Sequence, residues 1–213
     1  MRMGVIGSGM VGQRLAADLA RLGHEVVVGT RDPGKLEGFV AEHPGVRAAT
    51  NAGAAAFGEM ILLATRWEGT REALDLAGEE NLNGKTLVDI TNPLDFSGGR
   101  PALALGWNTS AGEQVQGWIP GARVVKALNI VTADAMLNPR TFVGGEPDMF
   151  IAGNDAAAKG EVTRLLEGVG WGVVDLGDIT MSRYIEPLAL IWITHAANSG
   201  WTKRDHAFKL LNR

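Results

Sequence analysis

The feature that most constrains this chain is Gly7-Ser8-Gly9-Met10-Val11-Gly12. It lies between a short apolar run, Met3-Gly4-Val5-Ile6, and a stretch that sets Val11, Leu15, Leu19 and Leu22 on one helical face. A G-x-G-x-x-G string alone is weak evidence, but at a strand-to-helix junction it acquires a mechanism. Gly7 permits the tight turn out of the strand, Gly9 lets a pyrophosphate approach the backbone, and Gly12 lets helix and strand pack closely. The helix N-terminus adds unpaired N–H groups and a partial positive charge, both suited to phosphate. The competing reading is a glycine-rich turn that binds nothing.

The following segments repeat the strand-helix alternation. Gly23 can end the first helix in a left-handed conformation. Glu25–Gly29 carries Val26-Val27-Val28, a β-branched run suited to a strand buried on both faces. Asp32-Pro33 opens another helix, with Asp as cap and Pro at the first helical position. Further strands are predicted at 46–50, 60–65, 85–91, 122–127, 149–153 and 172–176. Helical connections between them imply right-handed crossovers and an α/β fold: a doubly wound, mainly parallel Rossmann sheet. Residues 92–111 break the rhythm with Asn92-Pro93, Ser97-Gly98-Gly99 and Arg100-Pro101 and read as a long surface loop.

Residues 1–145 are expected to form the dinucleotide-binding domain and 146–213 a small C-terminal domain of helix and strand. In the latter, Val162, Leu165, Leu166 and Val169 mark one amphipathic helix. Tyr184, Leu188, Ile191 and His195 lie along one line of the last helix. Pro187 requires that helix either to begin near Glu186 or to kink. Its apolar set exceeds what a small domain can cover, which predicts a homodimer through this helix.

Composition removes several classes of function. The 213 residues include no cysteine, which excludes disulfide scaffolds, thiolate metal sites and cysteine nucleophiles. A net charge of −4 gives no electrostatic footprint for nucleic acid or an anionic membrane. The apolar run Pro187–Ile193 is far short of the roughly 20 residues that span a bilayer. No secretory signal fits ahead of the glycine motif, so a cytoplasmic location is expected. His24, His43, His195 and His206 are scattered, and no metal site is predicted. His195 reads as a core or interface residue, and Arg183 and Glu186 as an ion pair on one helix. Trp107, Trp118, Trp171, Trp192 and Trp201 read as packing groups. No catalytic dyad can be argued from spacing.

The tip of the second strand bears on which dinucleotide is bound. An NAD site usually places Asp or Glu there to bind the ribose hydroxyls. This chain reads Gly29-Thr30-Arg31-Asp32-Pro33-Gly34-Lys35. Thr30, Arg31 and Lys35 suit a 2′-phosphate, with Arg as a planar fork and Lys as a point charge. NADP(H) is therefore expected, with Asp32 acting as a cap; if Asp32 instead binds a hydroxyl, the site takes NAD(H).

With the glycine motif followed by Gly29-Thr30-Arg31, the chain resembles the F420-dependent NADP oxidoreductase family. The likeness continues through Leu63-Ala64-Thr65-Arg66-Trp67, Asp89-Ile90-Thr91-Asn92-Pro93-Leu94 and Val124-Val125-Lys126-Ala127-Leu128-Asn129. It extends through Met149-Phe150-Ile151-Ala152-Gly153 and Asp175-Leu176-Gly177 to Ser182-Arg183-Tyr184-Ile185-Glu186, nearly the whole chain. The resemblance implies a hydride exchange between NADP(H) and a small-molecule acceptor, coenzyme F420 or a flavin. It implies that Gly7, Ser8, Gly9, Met10, Val11 and Gly12 line the pyrophosphate, and that Thr30, Arg31 and Lys35 hold the 2′-phosphate. Ala64, Thr65 and Trp67 would end the fourth strand at the crevice, with Asn92, Pro93, Ala127 and Asn129 nearer the nicotinamide. One departure stands out: relatives commonly carry Pro where this chain has Arg66. Two other functions share such a scaffold, an NADPH-dependent imine or carbonyl reductase and a non-catalytic NADPH sensor.

Overall fold

The computed structural model describes residues 1–211. Its strands are β1 (Arg2–Ile6), β2 (Glu25–Thr30), β3 (Val46–Thr50), β4 (Met60–Leu63), β5 (Thr86–Asp89), β6 (Leu94–Asp95), β7 (Ala102–Leu103), β8 (Arg123–Lys126), β9 (Asp148–Gly153) and β10 (Gly172–Asp175). Its helices are α1 (Met10–Arg21), α2 (Glu37–Glu42), α3 (Asn51–Phe57), α4 (Thr70–Ala77), α5 (Glu79–Leu82), α6 (Ala111–Trp118), α7 (Ala133–Met136), α8 (Ala156–Val169) and α9 (Ser182–Asn198).

Eight strands form one sheet in the order β3-β2-β1-β4-β5-β8-β9-β10. The six strands from β3 to β8 run parallel, in the arrangement of a doubly wound dinucleotide fold. β9 then turns antiparallel to β8, with Lys126 opposite Ala152, and β10 lies parallel to β9. Residues 148–175 thus extend the same sheet.

The central strands explain why the sheet is buried on both faces. Met60 and Leu62 face one apolar layer with Leu15, Leu19 and Val125, while Ile61 and Leu63 face a second with Leu87, Val115 and Val124. Alternation along a strand sends successive side chains to opposite layers, so a continuous apolar run serves both.

Three local features differ from expectation. Residues 92–111 contain a small antiparallel hairpin, β6–β7, with Leu94 opposite Leu103. α9 begins at Ser182, not near Glu186, and carries Pro187 inside it. It buries Ile185, Ala189, Trp192 and Ala196; of the line read in the sequence, Leu188 packs against the core while Tyr184, Ile191 and His195 face outward. Tyr184 is 60% exposed and Ile191 58%, and His195 is an exposed residue standing edge-on to His206, not a core histidine.

Arg183 and Glu186 do not pair with each other. Arg183 donates from Nε to Glu113 at 2.8 Å, whereas Glu186 turns inward to Lys126. Lys126 is fully buried, with Nζ 2.9 Å from Asp89, 3.0 Å from Glu186 and 2.6 Å from the Thr91 carbonyl. Glu186 also accepts the Ala111 and Gly112 N–H groups at 3.0 Å each. The second Asp89 oxygen accepts the Thr91 N–H at 2.9 Å and its hydroxyl at 2.7 Å. One ammonium thus joins the ends of β5 and β8 to the start of α6 and to α9. Burial acts strongly to lower the Lys126 pKa, but the charges of Asp89 and Glu186 outweigh it and hold the pKa above the ordinary lysine value.

Lys126→Met should therefore cost about 3–5 kcal/mol in urea unfolding, because it strands two buried carboxylates. A raised lysine pKa makes this contribution complete below the unfolded value, with loss only as pH rises through the folded one. The stability gap between wild type and variant should stay constant from neutral pH to about pH 9. A gap that closes across that range would show that Lys126 is not held charged.

Candidate functional site

The glycine motif is shaped by contacts that exclude larger side chains. Gly7 adopts φ +123°, and a Cβ there would come within 2.5 Å of the Ala64 carbonyl oxygen. A Cβ on Gly12 would lie 1.8 Å from the Gly7 oxygen, so α1 can sit against the turn only with glycine at this position. Gly9 is different: a Cβ there would meet nothing within 4 Å. Its freedom leaves a cradle above the loop that a methyl group would begin to fill. The first intrahelical bond of α1 runs from Gln13 N–H to the Gly9 carbonyl at 2.9 Å. The N–H groups of Met10, Val11 and Gly12 precede that bond, as the orphan donors of a helix start do. Gln13 Nε2 clamps the loop through the Ser8 carbonyl at 2.8 Å, and Ser8 Oγ reaches Thr30 Oγ1 at 3.1 Å. The motif is thereby tied to the tip of β2.

At that tip Asp32 acts as the cap, accepting the Gly34 N–H at 3.2 Å. Arg31 lies 3.7 Å from Glu72 and Lys35 3.9 Å from Asp32, all four side chains being more than half exposed. Such loose surface pairs hold a side chain weakly. Arg31 and Lys35 are accordingly free to reorient toward a phosphate.

The crevice lies where β1 and β4 diverge. Thr65 Oγ1 is 2.8 Å from Thr70 Oγ1, and the Arg66 carbonyl accepts from the same Thr70 hydroxyl at 3.0 Å. Trp67 stacks on Trp118, with ring centroids 5.4 Å apart and an 18° tilt. Asn92 and Asn129 are joined side chain to side chain at 2.9 Å, and Asn92 Nδ2 also donates to the Asn129 carbonyl at 2.7 Å. Among the described residues, the buried Asn129 Oδ1 has no hydrogen-bond partner. Leu128, just before it, adopts φ +63°, a left-handed conformation that costs about 1–2 kcal/mol in a non-glycine residue. Its N–H is received by Met149 Sδ at 3.2 Å. Packing therefore holds the backbone in the turn that presents Asn129.

A cavity of about 1580 Å³ opens from this point along α1 and under the C-terminal segment. Of the residues singled out in the sequence, Met10, Val11, Ala64, Thr65, Trp67, Asn92 and Asn129 line it. Gly7, Ser8, Gly9, Gly12, Thr30, Arg31 and Lys35 lie outside it, beside the open cradle. Pro93 and Ala127 are buried and shape the backbone without lining the cavity. The sequence does not point to Thr132, whose Oγ1 is buried without a partner among the described residues, nor to Phe96 and Arg204, which form the far wall with Trp201, read above as a packing group. None of these lies in a motif: Thr132 directly precedes α7, Phe96 belongs to the unforeseen hairpin region, and Trp201 and Arg204 follow α9.

The neighbouring charges are structural. Arg14 bonds to Asp18 at 2.8 Å, which raises its pKa against a smaller lowering by burial. Hydrogen bonding from Arg183 holds Glu113 below the ordinary glutamate range. Burial, and then the charge of His195, lowers the His206 pKa. No cluster of metal-ligating side chains occurs among the described residues, and none of their helices is long and apolar enough to cross a membrane.

The donor set fits a dinucleotide: an open glycine cradle at a helix start, two exposed cations at the tip of the strand tied to it, and a buried amide acceptor at the crevice. Comparison with known proteins agrees. Residues 2–93 match the family model described as NADP oxidoreductase, coenzyme F420-dependent. The chain is 31% identical to the F420-dependent NADP reductase of Methanothermobacter marburgensis over 207 residues, covering 91% of each. It is 30% identical over 191 residues to metalloreductase STEAP3 of Rattus norvegicus, matching 89% of this chain but spanning only 36% of that protein's length. A crystal structure from Arthrobacter sp. FB24, provisionally named an F420-dependent NADP-reductase, superposes with a TM-score of 0.94 at 44% identity over the full length of both chains. The chain thus belongs to the coenzyme F420-dependent NADP oxidoreductase family.

Proposed function

We propose that this protein transfers a hydride between NADP(H) and a planar tricyclic acceptor, with coenzyme F420 favoured over FMN or FAD. The observation that carries this reading is the buried, unpartnered Asn129 Oδ1 at a cavity that Met10 and Val11, from the glycine motif, also line. When bound, NADPH supplies the hydride, and a solvent proton completes the two-electron reduction of the acceptor.

The chain's own residues then bind, orient and exclude water. The N–H groups of Met10, Val11 and Gly12 would hold the pyrophosphate, assisted by the α1 dipole. Arg31 and Lys35 neutralise the 2′-phosphate, and Thr30 adds a neutral hydroxyl. Asn129 Oδ1 would accept from the carboxamide, while Asn92 holds the Asn129 side chain in place. Ala64, Thr65 and Trp67 close one side of the crevice. Hydride exchange between two rings needs alignment and dehydration more than a side-chain acid or base. On the same reading the protein is cytoplasmic, residues 1–145 hold the nucleotide, and residues 146–213 cover its nicotinamide end. The exposed line of Tyr184 and Ile191 on α9 would form a homodimer contact.

Anaerobic NADPH oxidation, followed at 340 nm with coenzyme F420, FMN and FAD in turn, tests the reading. Turnover above background with at least one acceptor is expected; no turnover with any of the three would overturn it.

Two variants separate binding from folding. Gly9→Ala should leave the melting temperature near that of wild type, because nothing surrounds the added methyl, yet weaken NADPH by about tenfold or more. Titration by protein fluorescence alongside thermal melting checks both. Arg31→Ala should weaken NADPH by about tenfold while NADH changes little, since a charge-assisted contact is lost from an exposed site. Equal losses for both dinucleotides would remove Arg31 from the 2′-phosphate.

A further inference from the structure

The cavity beyond the Asn92–Asn129 pair has charges that the hydride reading does not use. Arg14, Arg21, Arg66 and Arg204 all line it. Two of them are already neutralised. Arg14 pairs with Asp18 at 2.8 Å and Asp134 at 2.9 Å, and Arg21 pairs with Asp18 at 2.9 Å. Among the described residues, neither Arg66 nor Arg204 forms an ion pair. Two carboxylates remain on the lining, Glu42 and Glu68. Glu42 ends α2 just ahead of β3, whereas Arg66 follows β4, so the two stand at opposite ends of a parallel sheet. Glu68 shares the Arg66 rim but reaches neither guanidinium.

Both free arginines have a supported backbone. The Arg66 carbonyl accepts from Gly69 N–H at 3.1 Å and from Thr70 Oγ1 at 3.0 Å, and the adjoining Trp67 rests on Trp118. Arg204 lies in a segment tied to α9 at both ends. Trp201 N–H donates to the Ala196 carbonyl at 2.8 Å, and Trp192 Nε1 donates to the His206 carbonyl at 2.9 Å. The same lining includes Trp67, Phe96 and Trp201, the last two being 62% and 54% exposed. Flat apolar surface beside unpaired guanidiniums is the chemistry that receives a planar ring bearing an anionic substituent. Arg66 also occupies the position at which the family resemblance leads one to expect proline.

We propose that Arg66 and Arg204 form an anion clamp that selects acceptors carrying a phosphate on a chain attached to the ring. This rests on the hydride-transfer reading and specifies its acceptor. NADPH, a proton and the oxidised acceptor give NADP⁺ and the two-electron-reduced acceptor; the phosphate is bound and leaves unchanged.

The test compares acceptors that share a ring and differ in the phosphate: FMN against riboflavin, and coenzyme F420 against its deazaflavin core without the phosphate-bearing tail. For whichever pair is turned over, kcat/KM in the wild type should favour the phosphorylated acceptor by about tenfold or more. In the Arg66→Ala/Arg204→Ala double variant that ratio should fall toward unity, and Arg66→Lys/Arg204→Lys should restore part of it. Equal rates for both members of a pair in the wild type would overturn the clamp while leaving hydride transfer standing. So would a ratio unchanged in the double alanine variant. NADPH oxidation by neither pair, nor by FAD, would overturn both proposals together.

Discussion

The buried contact among Asp89, Lys126 and Glu186 is the constraint on which the rest of the site depends. Its three side chains are at most 2% exposed. Such a group is poor evidence for stability, since well-packed apolar residues often serve as well, but it penalises arrangements that separate its members. Here the members come from two neighbouring strands and from α9, with α6 drawn in through two N–H donors. The loops leaving Asp89 and Lys126 carry Asn92 and Asn129. The group therefore fixes the spacing of the asparagine pair and locks the C-terminal helix over the same edge of the sheet.

This arrangement distributes rigidity and freedom according to need. At the asparagine pair, packing imposes a left-handed Leu128 and leaves a buried acceptor without a partner, a cost that a ligand's amide donor would offset. At the β2 tip, Arg31 and Lys35 remain exposed and loosely held. Tight placement matters where two rings must align, and charge alone suffices where a phosphate is neutralised.

Much of this was legible in the sequence because the relevant forces are local. The strands of the main sheet were readable from runs such as Val26-Val27-Val28 and Ile61-Leu62-Leu63, and the glycine loop from its position between strand and helix. Asp32 as a cap followed from Pro33 beside it. α3 was hidden because Asn51-Ala52-Gly53-Ala54-Ala55-Ala56 has no large apolar side chains to mark a face. The β6–β7 hairpin was hidden because its strands are two residues each. Glu186 was misassigned for a physical reason: helical spacing favours Arg183, but a buried lysine 60 positions earlier in the sequence offers a stronger field. The far wall of the cavity is set by how the chain after α9 folds back, which no local pattern encodes.

Direct hydride transfer is the central claim, and isotopic labelling tests it most closely. NADPH carrying deuterium at C4 of the nicotinamide, in the transferred position, should be oxidised in ordinary water with coenzyme F420 as acceptor. The reduced deazaflavin bears its new hydrogen on carbon, where it does not wash out into solvent, so mass spectrometry can read its origin. The account predicts one deuterium retained in the reduced product for each NADPH consumed. Reduced deazaflavin without the label, formed while labelled NADPH is consumed, would contradict it.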